Sequence, residues 1–206
     1  MAEGGVRMGA VPPPLSAFVS ELDRLIEGGQ PDFLYRAAAA MKRLLLADGA
    51  WLPDAYRQAH PMHYQQYLLY RDPLARFSIV SFVWGPGQRS PIHDHQVWGL
   101  VGTLEGAELT QAYAPPMYPT DLPKEQGPER RLNPGDVEVM SPALGDIHRV
   151  RNASDSEVAV SIHAYGADIG TVSRWLYPPD RPAASRKPFF SGYNNDADTP
   201  PFFGLV

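Results

Sequence analysis

Phe77-Ser-Ile-Val-Ser-Phe-Val-Trp84-Gly-Pro-Gly-Gln-Arg-Ser-Pro-Ile-His93-Asp-His95 is the stretch whose reading decides the fold. Its first part is β-branched and aromatic, the composition of a strand, and Gly85-Pro86-Gly87 ends it. His93 and His95 follow at i and i+2, a spacing that puts both side chains on one face of a strand. A third histidine comes in Gly145-Asp-Ile-His148 and, from a neighbouring strand, can complete one side of a metal's coordination sphere. Imidazole suits Fe, Zn, Cu and Ni.

Working outward, further strands are expected over Val97–Leu104, Glu108–Tyr113, Val137–Met140, His148–Arg151 and Val158–Ala164, separated by Gly, Pro, Asn or Ser clusters. Many short strands with such punctuation indicate a sandwich or a small barrel. Pro115 to Arg130 reads as a polar, Pro-rich loop, and the chain after Tyr177 as irregular. Before the strands, Phe18, Leu22, Leu25 and Ile26 recur at helical spacing within Leu15–Ile26. Asp32 is the expected N-cap of a second helix running through Ala37 to Leu46, which Asp48-Gly49 would stop. The chain thus reads as one domain, 1–206, with a helical part over 14–50, a β-barrel over 75–177 and an irregular tail over 178–206.

The 206 residues suffice for one substantial core. A net charge of −5 gives no footprint for nucleic acid. No apolar run approaches the roughly 20 residues that span a bilayer, so no membrane partner is expected. The N-terminus lacks the basic and apolar regions of a signal peptide, and there are no cysteines, which together fit the cytoplasm. The absence of cysteine also excludes disulfides and thiolate metal ligands.

Gly87-x5-His93-x-His95-x3-Gly99-x6-Gly106 resembles the first cupin motif, with Gly99 where glutamate usually stands. Pro142-x2-Gly145-x2-His148-x3-Asn152 resembles the second, with one extra residue between Pro and Gly. More specifically, the chain resembles the cysteine dioxygenase type I family of thiol dioxygenases. That resemblance implies a mostly β cupin fold, a double-stranded β-helix or jelly-roll barrel with N-terminal α-helices. It implies an Fe(II) site of His93, His95 and His148, and a relay of Ser161, His163 and Tyr165. It places Tyr64 and Gln66 on the substrate side, with Gln66 where cysteine-specific members carry an arginine. This is similar to a glutamine-type bacterial branch whose favoured substrate is 3-mercaptopropionate. Arg174 matches an arginine thought to hold the carboxylate in that branch. The implied partners are a small thiol and O2, and the implied product is a sulfinate. The cysteine–tyrosine crosslink of animal members is excluded, since the chain has no cysteine.

The chemistry asks for these residue types. Three neutral imidazoles leave the metal its full charge, which a carboxylate at position 99 would partly cancel, and a cationic site favours a thiolate ligand. Ser161, His163 and Tyr165 alternate, so all three face one side of a strand. Arg174 can grip a carboxylate with two parallel hydrogen bonds, whereas Gln66 can donate one but forms no salt bridge. Alternatives stay open: an L-cysteine dioxygenase, a non-catalytic metal-binding cupin, or a Zn or Mn isomerase. Arg174 could instead pair with Asp168, and Ser161, His163 and Tyr165 could be a satisfied polar cluster. Asp94 should point away from the two ligands beside it, His60 and His63 read as loop residues, and Trp84 and Trp98 as core or pocket wall. The oligomeric state is left open.

Overall fold

The computed structural model describes residues 11–48 and 51–196. Two helices, α1 (Pro13–Gly28) and α2 (Phe33–Leu45), precede the strands. These are β1 (Gln65–Arg71), β2 (Ser78–Trp84), β3 (Ile92–His93), β4 (Gly99–Glu105), β5 (Glu108–Ala114), β6 (Lys124–Glu125), β7 (Arg130–Leu132) and β8 (Val137–Met140). The last four are β9 (His148–Asn152), β10 (Ala159–Tyr165), β11 (Arg174–Tyr177) and β12 (Lys187–Phe189).

All pairings are antiparallel, and the strands form two sheets. One runs β1-β2-β10-β4-β8 and the other β12-β11-β3-β9-β5-β6, with β7 also on β5. From β2 to β5 and again from β8 to β11, successive strands alternate between the sheets. The chain therefore winds around a common interior, the double-stranded β-helix of a cupin barrel.

β2 and β10 are buried at every position because their sheet is covered on both faces. Ile79, Val83, Val160, Ile162 and Ala164 point outward and pack with Leu15, Phe18, Leu22, Met41 and Leu45 of the helices. Val80, Phe82, Trp84 and Tyr165 point inward, where Tyr64 and Ile169 join them. Each such large apolar side chain contributes about 1.5–3 kcal/mol of transfer free energy. The helices thus allow this sheet to be apolar outside while its inner face carries chemistry.

Helix α1 begins with proline at its first positions and ends on Gly29, whose φ of 57° is left-handed. Asp32 does occupy the N-cap position of α2, but its side chain caps nothing. Its ψ of 11° is not the extended conformation that aims a carboxylate at the helix N–H groups. Its carbonyl instead accepts from the amides of Tyr35 and Arg36. The helix ends at Leu45, and Gly49 lies outside the described residues.

Five strand regions depart from the sequence reading. Gln65–Arg71 forms edge strand β1, Lys124–Glu125 pairs with Tyr113 and Ala114 inside the expected loop, Arg130–Leu132 pairs with β5 at the end of that loop, Arg174–Tyr177 forms β11, and Lys187–Phe189 pairs with it inside the expected irregular tail. Four of these have two to four residues, too few side chains for a period of two to register, and the seven-residue β1 reads Gln-Gln-Tyr-Leu-Leu-Tyr-Arg with no apolar–polar alternation. β12 tolerates Pro188 because it is an edge. Among the described residues, no helix is long and apolar enough to cross a membrane.

Gly106 joins β4 to β5 with φ at +66°, and a Cβ there would lie 2.7 Å from the Val158 carbonyl oxygen and 2.9 Å from the Ala159 Cα. Backbone cannot step aside as a side chain can. Gly87 shares the positive φ, at +69°, but a Cβ there would meet only Asp155 Oδ1 at 3.8 Å. We expect Gly87→Ala to cost about 1 kcal/mol and Gly106→Ala about 2–3 kcal/mol or more, measured by urea unfolding. Equal costs would show that the close approach at Gly106 is relieved.

Candidate metal centre

His93 lies on β3 directly opposite His148 on β9, and the chain leaves the strand at once so that His95 swings in beside them. Asp94 makes that exit. Its carboxylate accepts from the Trp175 amide at 2.8 Å, the Tyr177 hydroxyl at 3.0 Å and Gln96 Nε2 at 2.7 Å, away from the histidines as expected. From the other side, Asp146 Oδ2 accepts from the amides of His95 and Gln96 at 3.2 and 3.0 Å. Gly145, at φ +104°, gives the turn that presents Asp146. The sequence reading passed over Asp146; its place just after Gly145 and two residues before His148 was its only signal.

The three histidines can place one ring nitrogen each within 4.8 Å of the others, and among the described residues no carboxylate joins them. His93 Nδ1 sits 3.0 Å from the Pro91 carbonyl, and His95 Nδ1 sits 3.0 Å from the Asp146 carbonyl. A carbonyl can only accept, so both Nδ1 atoms carry the proton and both Nε2 atoms keep a lone pair. His95 Nε2 is buried with no hydrogen-bond partner. An orphaned lone pair facing two other imidazoles is the signature of a metal ligand, so the residues present fit a metal.

Burial holds the rings neutral, which is the ligating form. It pushes His93 and His95 well below 6.5 and His148 down to about 4. His148 Nδ1 also stands 3.9 Å from Glu138 Oε2. A ring held neutral forms no ion pair at that distance, so the approach is a weak contact. The position where a cupin glutamate usually stands has little room for a side chain. A Cβ on Gly99 would lie 3.2 Å from both Met140 Cγ and Tyr165 Cδ1.

β10 brings Ser161, His163 and Tyr165 to the inner face beside this cluster. Ser161 Oγ is 2.8 Å from His163 Nε2, and His163 Nδ1 is 2.7 Å from the Tyr165 hydroxyl. The Tyr165 ring stacks on His95 with centroids 5.4 Å apart. Burial raises the Tyr165 phenol and lowers His163, so both stay neutral across physiological pH. These three form the hydrogen-bonded chain that the alternation predicted.

Arg174 lies on β11 at the opposite wall of the same cavity and is only 3% exposed. Its guanidinium lies 4.6 Å over the Phe189 ring and donates to Ser191 Oγ, while its Nε has no hydrogen-bond partner. It does not pair with Asp168, which takes Arg71 at 2.8 Å and the Tyr193 hydroxyl at 2.6 Å. Burial is the largest influence on Arg174 and lowers it. Gln66 is engaged from both ends by one residue: Ser191 Oγ donates to its Oε1 and its Nε2 donates to the Ser191 carbonyl, each at 3.0 Å. Gln66 therefore braces Ser191, which holds Arg174. Tyr64 stacks on Trp84 at 4.5 Å, and burial pushes its phenol up to about 12. Phe189 and Ser191 come from the tail that the sequence reading left irregular. They show that this tail closes one side of the cavity. His60 and His63 stack on each other at 4.1 Å in the loop before β1 and stay outside the cluster.

Depressed histidines link the site to stability. Between pH 6.5 and about 4 the unfolded chain binds protons that folded His148 refuses. The metal-free protein therefore loses stability as pH falls through that window, by up to about 3 kcal/mol from His148. Urea titrations at stepped pH should show the decline. A His148→Gln variant should show a shallower one, and an equal slope would place the proton uptake elsewhere.

The match to known proteins covers the segment that builds this centre. The family model described as cysteine dioxygenase type I matches residues 56–176. Cysteine dioxygenase type 1 of Homo sapiens is 31% identical over 98 residues, 47% of this chain and 48% of that protein, and the Bos taurus protein matches to the same extent. The chain spans about half the length of the curated relatives it matches. Among solved structures, the TT1209 protein of Thermus thermophilus superposes with a TM-score of 0.43 at 19% identity, over 55% of this chain and 92% of that one. A Klebsiella pneumoniae protein with a double-stranded beta-helix domain gives 0.47 at 16% identity, over 61% and 93%. With more than half of its residues matched by the family model, this chain belongs to the cysteine dioxygenase type I family.

Proposed function

We propose that the protein is an Fe(II)-dependent thiol dioxygenase that converts a small carboxylate-bearing thiol and O2 to the sulfinic acid, with 3-mercaptopropionate as its best substrate. The observation that carries this reading is Arg174. It is a buried guanidinium with no acidic partner within ion-pair distance among the described residues, in one cavity with His93 and His148 of the histidine cluster. A buried charge left uncompensated is costly. A bound carboxylate supplies the missing counter-charge and can accept two parallel hydrogen bonds from the guanidinium.

When bound, the iron supplies the redox chemistry that joins a thiol to O2; both oxygen atoms end on sulfur, and no further reductant is consumed. The chain's own residues do the rest. Arg174, held by Ser191 and Gln66, fixes the carboxylate end of the substrate. Phe82, Trp84, Tyr64 and Phe189 exclude water from its middle. Tyr165 presents a phenol whose proton position is set by His163, at the end of the cavity where His95 lies.

The preference for 3-mercaptopropionate over L-cysteine follows from what the cavity lacks. No Asp or Glu lines it among the described residues, so nothing there balances an α-ammonium group. The Gln66 carbonyl oxygen already accepts from Ser191. The test is O2 consumption by freshly Fe(II)-loaded protein. We expect kcat/KM for 3-mercaptopropionate to exceed that for L-cysteine by about tenfold or more. A preference for cysteine would overturn the argument from the missing acid. No uptake with either thiol, in protein that holds iron, would favour the non-catalytic binding reading.

Arg174→Lys keeps the charge but loses the planar pair of donors. We expect KM for 3-mercaptopropionate to rise by about ten- to a hundredfold with iron content unchanged, and turnover of cysteamine, which has no carboxylate, to move little. An unchanged KM would mean that another group holds the carboxylate.

A further inference from the structure

Glu108 opens β5 and is fully enclosed, with 0% exposure. Its carboxyl group has no hydrogen bond of good geometry, yet it lies against the Ser161 hydroxyl and the Trp84 indole. The reaction proposed above makes no use of it. Trp84 Nε1 itself donates to Ser161 Oγ at 3.3 Å, so both neighbours of Glu108 converge on the inner end of the Ser161–His163–Tyr165 chain.

The surroundings of Glu108 are otherwise uncharged. β9 sets Asn152 opposite it, with the amide committed to the carbonyls of Trp84, Gly85 and Glu157. β7 sets Leu132 opposite it. The cations of those two strands turn elsewhere: Arg130 to Glu138, Arg131 to Asn133, Arg151 to Glu129, and Arg149 toward Tyr113 and Glu129. His148 of β9 faces the metal cluster, β2 contributes Trp84, and β10 contributes Ser161 with His163 and Tyr165 beyond it. Burial therefore dominates, and it pushes the Glu108 carboxyl up to about 7.

We propose that Glu108 is the inner end of a proton wire that runs through Ser161 and His163 and opens into the cavity at the Tyr165 hydroxyl. The proposal rests on the reading that Tyr165 serves the reacting substrate. The wire requires the protonated Glu108 carboxyl to close on the Ser161 hydroxyl it lies against. Every proton then points along the chain, from Glu108 to Ser161 Oγ, from Ser161 to His163 Nε2, and from His163 Nδ1–H to the Tyr165 oxygen. That leaves the phenol proton free to face the cavity. Each proton can then move one place. The Tyr165 proton passes to an acceptor in the cavity, the Nδ1 proton to the Tyr165 oxygen, the Ser161 proton to Nε2, and the Glu108 proton to Ser161 Oγ. Four bonds to hydrogen break and four form. Glu108 ends as a carboxylate accepting from Ser161, and His163 ends in the other tautomer. The same shift run backwards takes up the proton that a thiol gives up on becoming a thiolate. Glu108 is thus a positioning residue that acts through Ser161 and never touches the substrate.

The test reads the His163 tautomer directly. The full chain, loaded with diamagnetic Zn(II) and labelled with ¹⁵N-histidine, is titrated by NMR from about pH 5.5 to about pH 9. We expect His163 to change from Nδ1–H to Nε2–H in one step, and E108Q to hold a single tautomer throughout. One tautomer across the range in the unmodified chain, or the same step in E108Q, would overturn the proposal. Should E108Q fold poorly, the infrared C=O stretch of a buried carboxylic acid in the unmodified chain must vanish at the midpoint of the tautomer step, and a separate midpoint would overturn the wire. In the Fe(II) protein, E108Q should flatten the pH profile of kcat and leave KM for 3-mercaptopropionate within about twofold. The Zn(II) titration needs no turnover. A tautomer step in a protein that consumes no O2 supports the wire and removes the dioxygenase reading, so the two fail separately.

Discussion

Three imidazoles must be kept neutral, inward-facing and unable to bond with one another, and the rest of the barrel answers to that constraint. Desolvation does the first part, since burial is the largest influence driving His93, His95 and His148 below their ordinary range. Backbone carbonyls do the second. Pro91 and Asp146 each take an Nδ1 proton, and that fixes which nitrogen remains for a metal. The two-sheet winding does the third, because β3 and β9 meet at His93 and His148 while His95 arrives from beyond the strand end. Asp94 and Asp146 anchor that strand exit from opposite sides. They stabilise a geometry that strand pairing by itself would not produce, since β3 is only two residues long.

The same barrel carries a division of charge. Among the described residues, Arg174 is buried at one wall without an acidic partner, and Glu108 is buried behind the Ser161–His163–Tyr165 chain without a cationic one. Side by side they would neutralise each other and leave nothing for a substrate to meet. Held apart, each depends on something mobile, an anion for Arg174 and a proton for Glu108. The carboxylate-bearing thiol proposed as substrate would bring both: its carboxylate would answer the guanidinium, and its S–H would be a source of the proton.

Much of this was legible in the sequence, and the limits have physical causes. The buried strands β2, β4 and β10 read correctly because both of their faces are covered, so apolar character runs through them. The histidine cluster read correctly as a set of three, but not for the reason of strand alternation: β3 ends at His93, and His95 reaches the cluster from beyond the strand, held by Asp146. Arg174 stood out through resemblance, but its bracing was invisible. Ser191 and Gln66 are 125 residues apart in the chain and meet only when β1 and the tail enclose the cavity from two sides. Glu108 looked like one more charged residue at a strand start, since burial by distant elements leaves no trace in local periodicity. The Asp32 cap shows the opposite failure: the residue type was right, and the backbone angle ψ withheld the hydrogen bond.

Gly99 ties these threads to one position. Its register partner across β10 is Tyr165, and any side chain on residue 99 would press on that ring. A Cβ there would lie 3.2 Å from the Tyr165 ring, so a larger residue would require that ring, which stacks on His95 and bonds to His163, to give by a few tenths of an ångström. With glycine the ring has that space, and the cluster keeps three neutral imidazoles. The strand that supplies the relay also presses Ile162 and Ala164 against the helices. Helices α1 and α2 thus cover the outer face of the strand whose inner face carries Ser161, His163 and Tyr165.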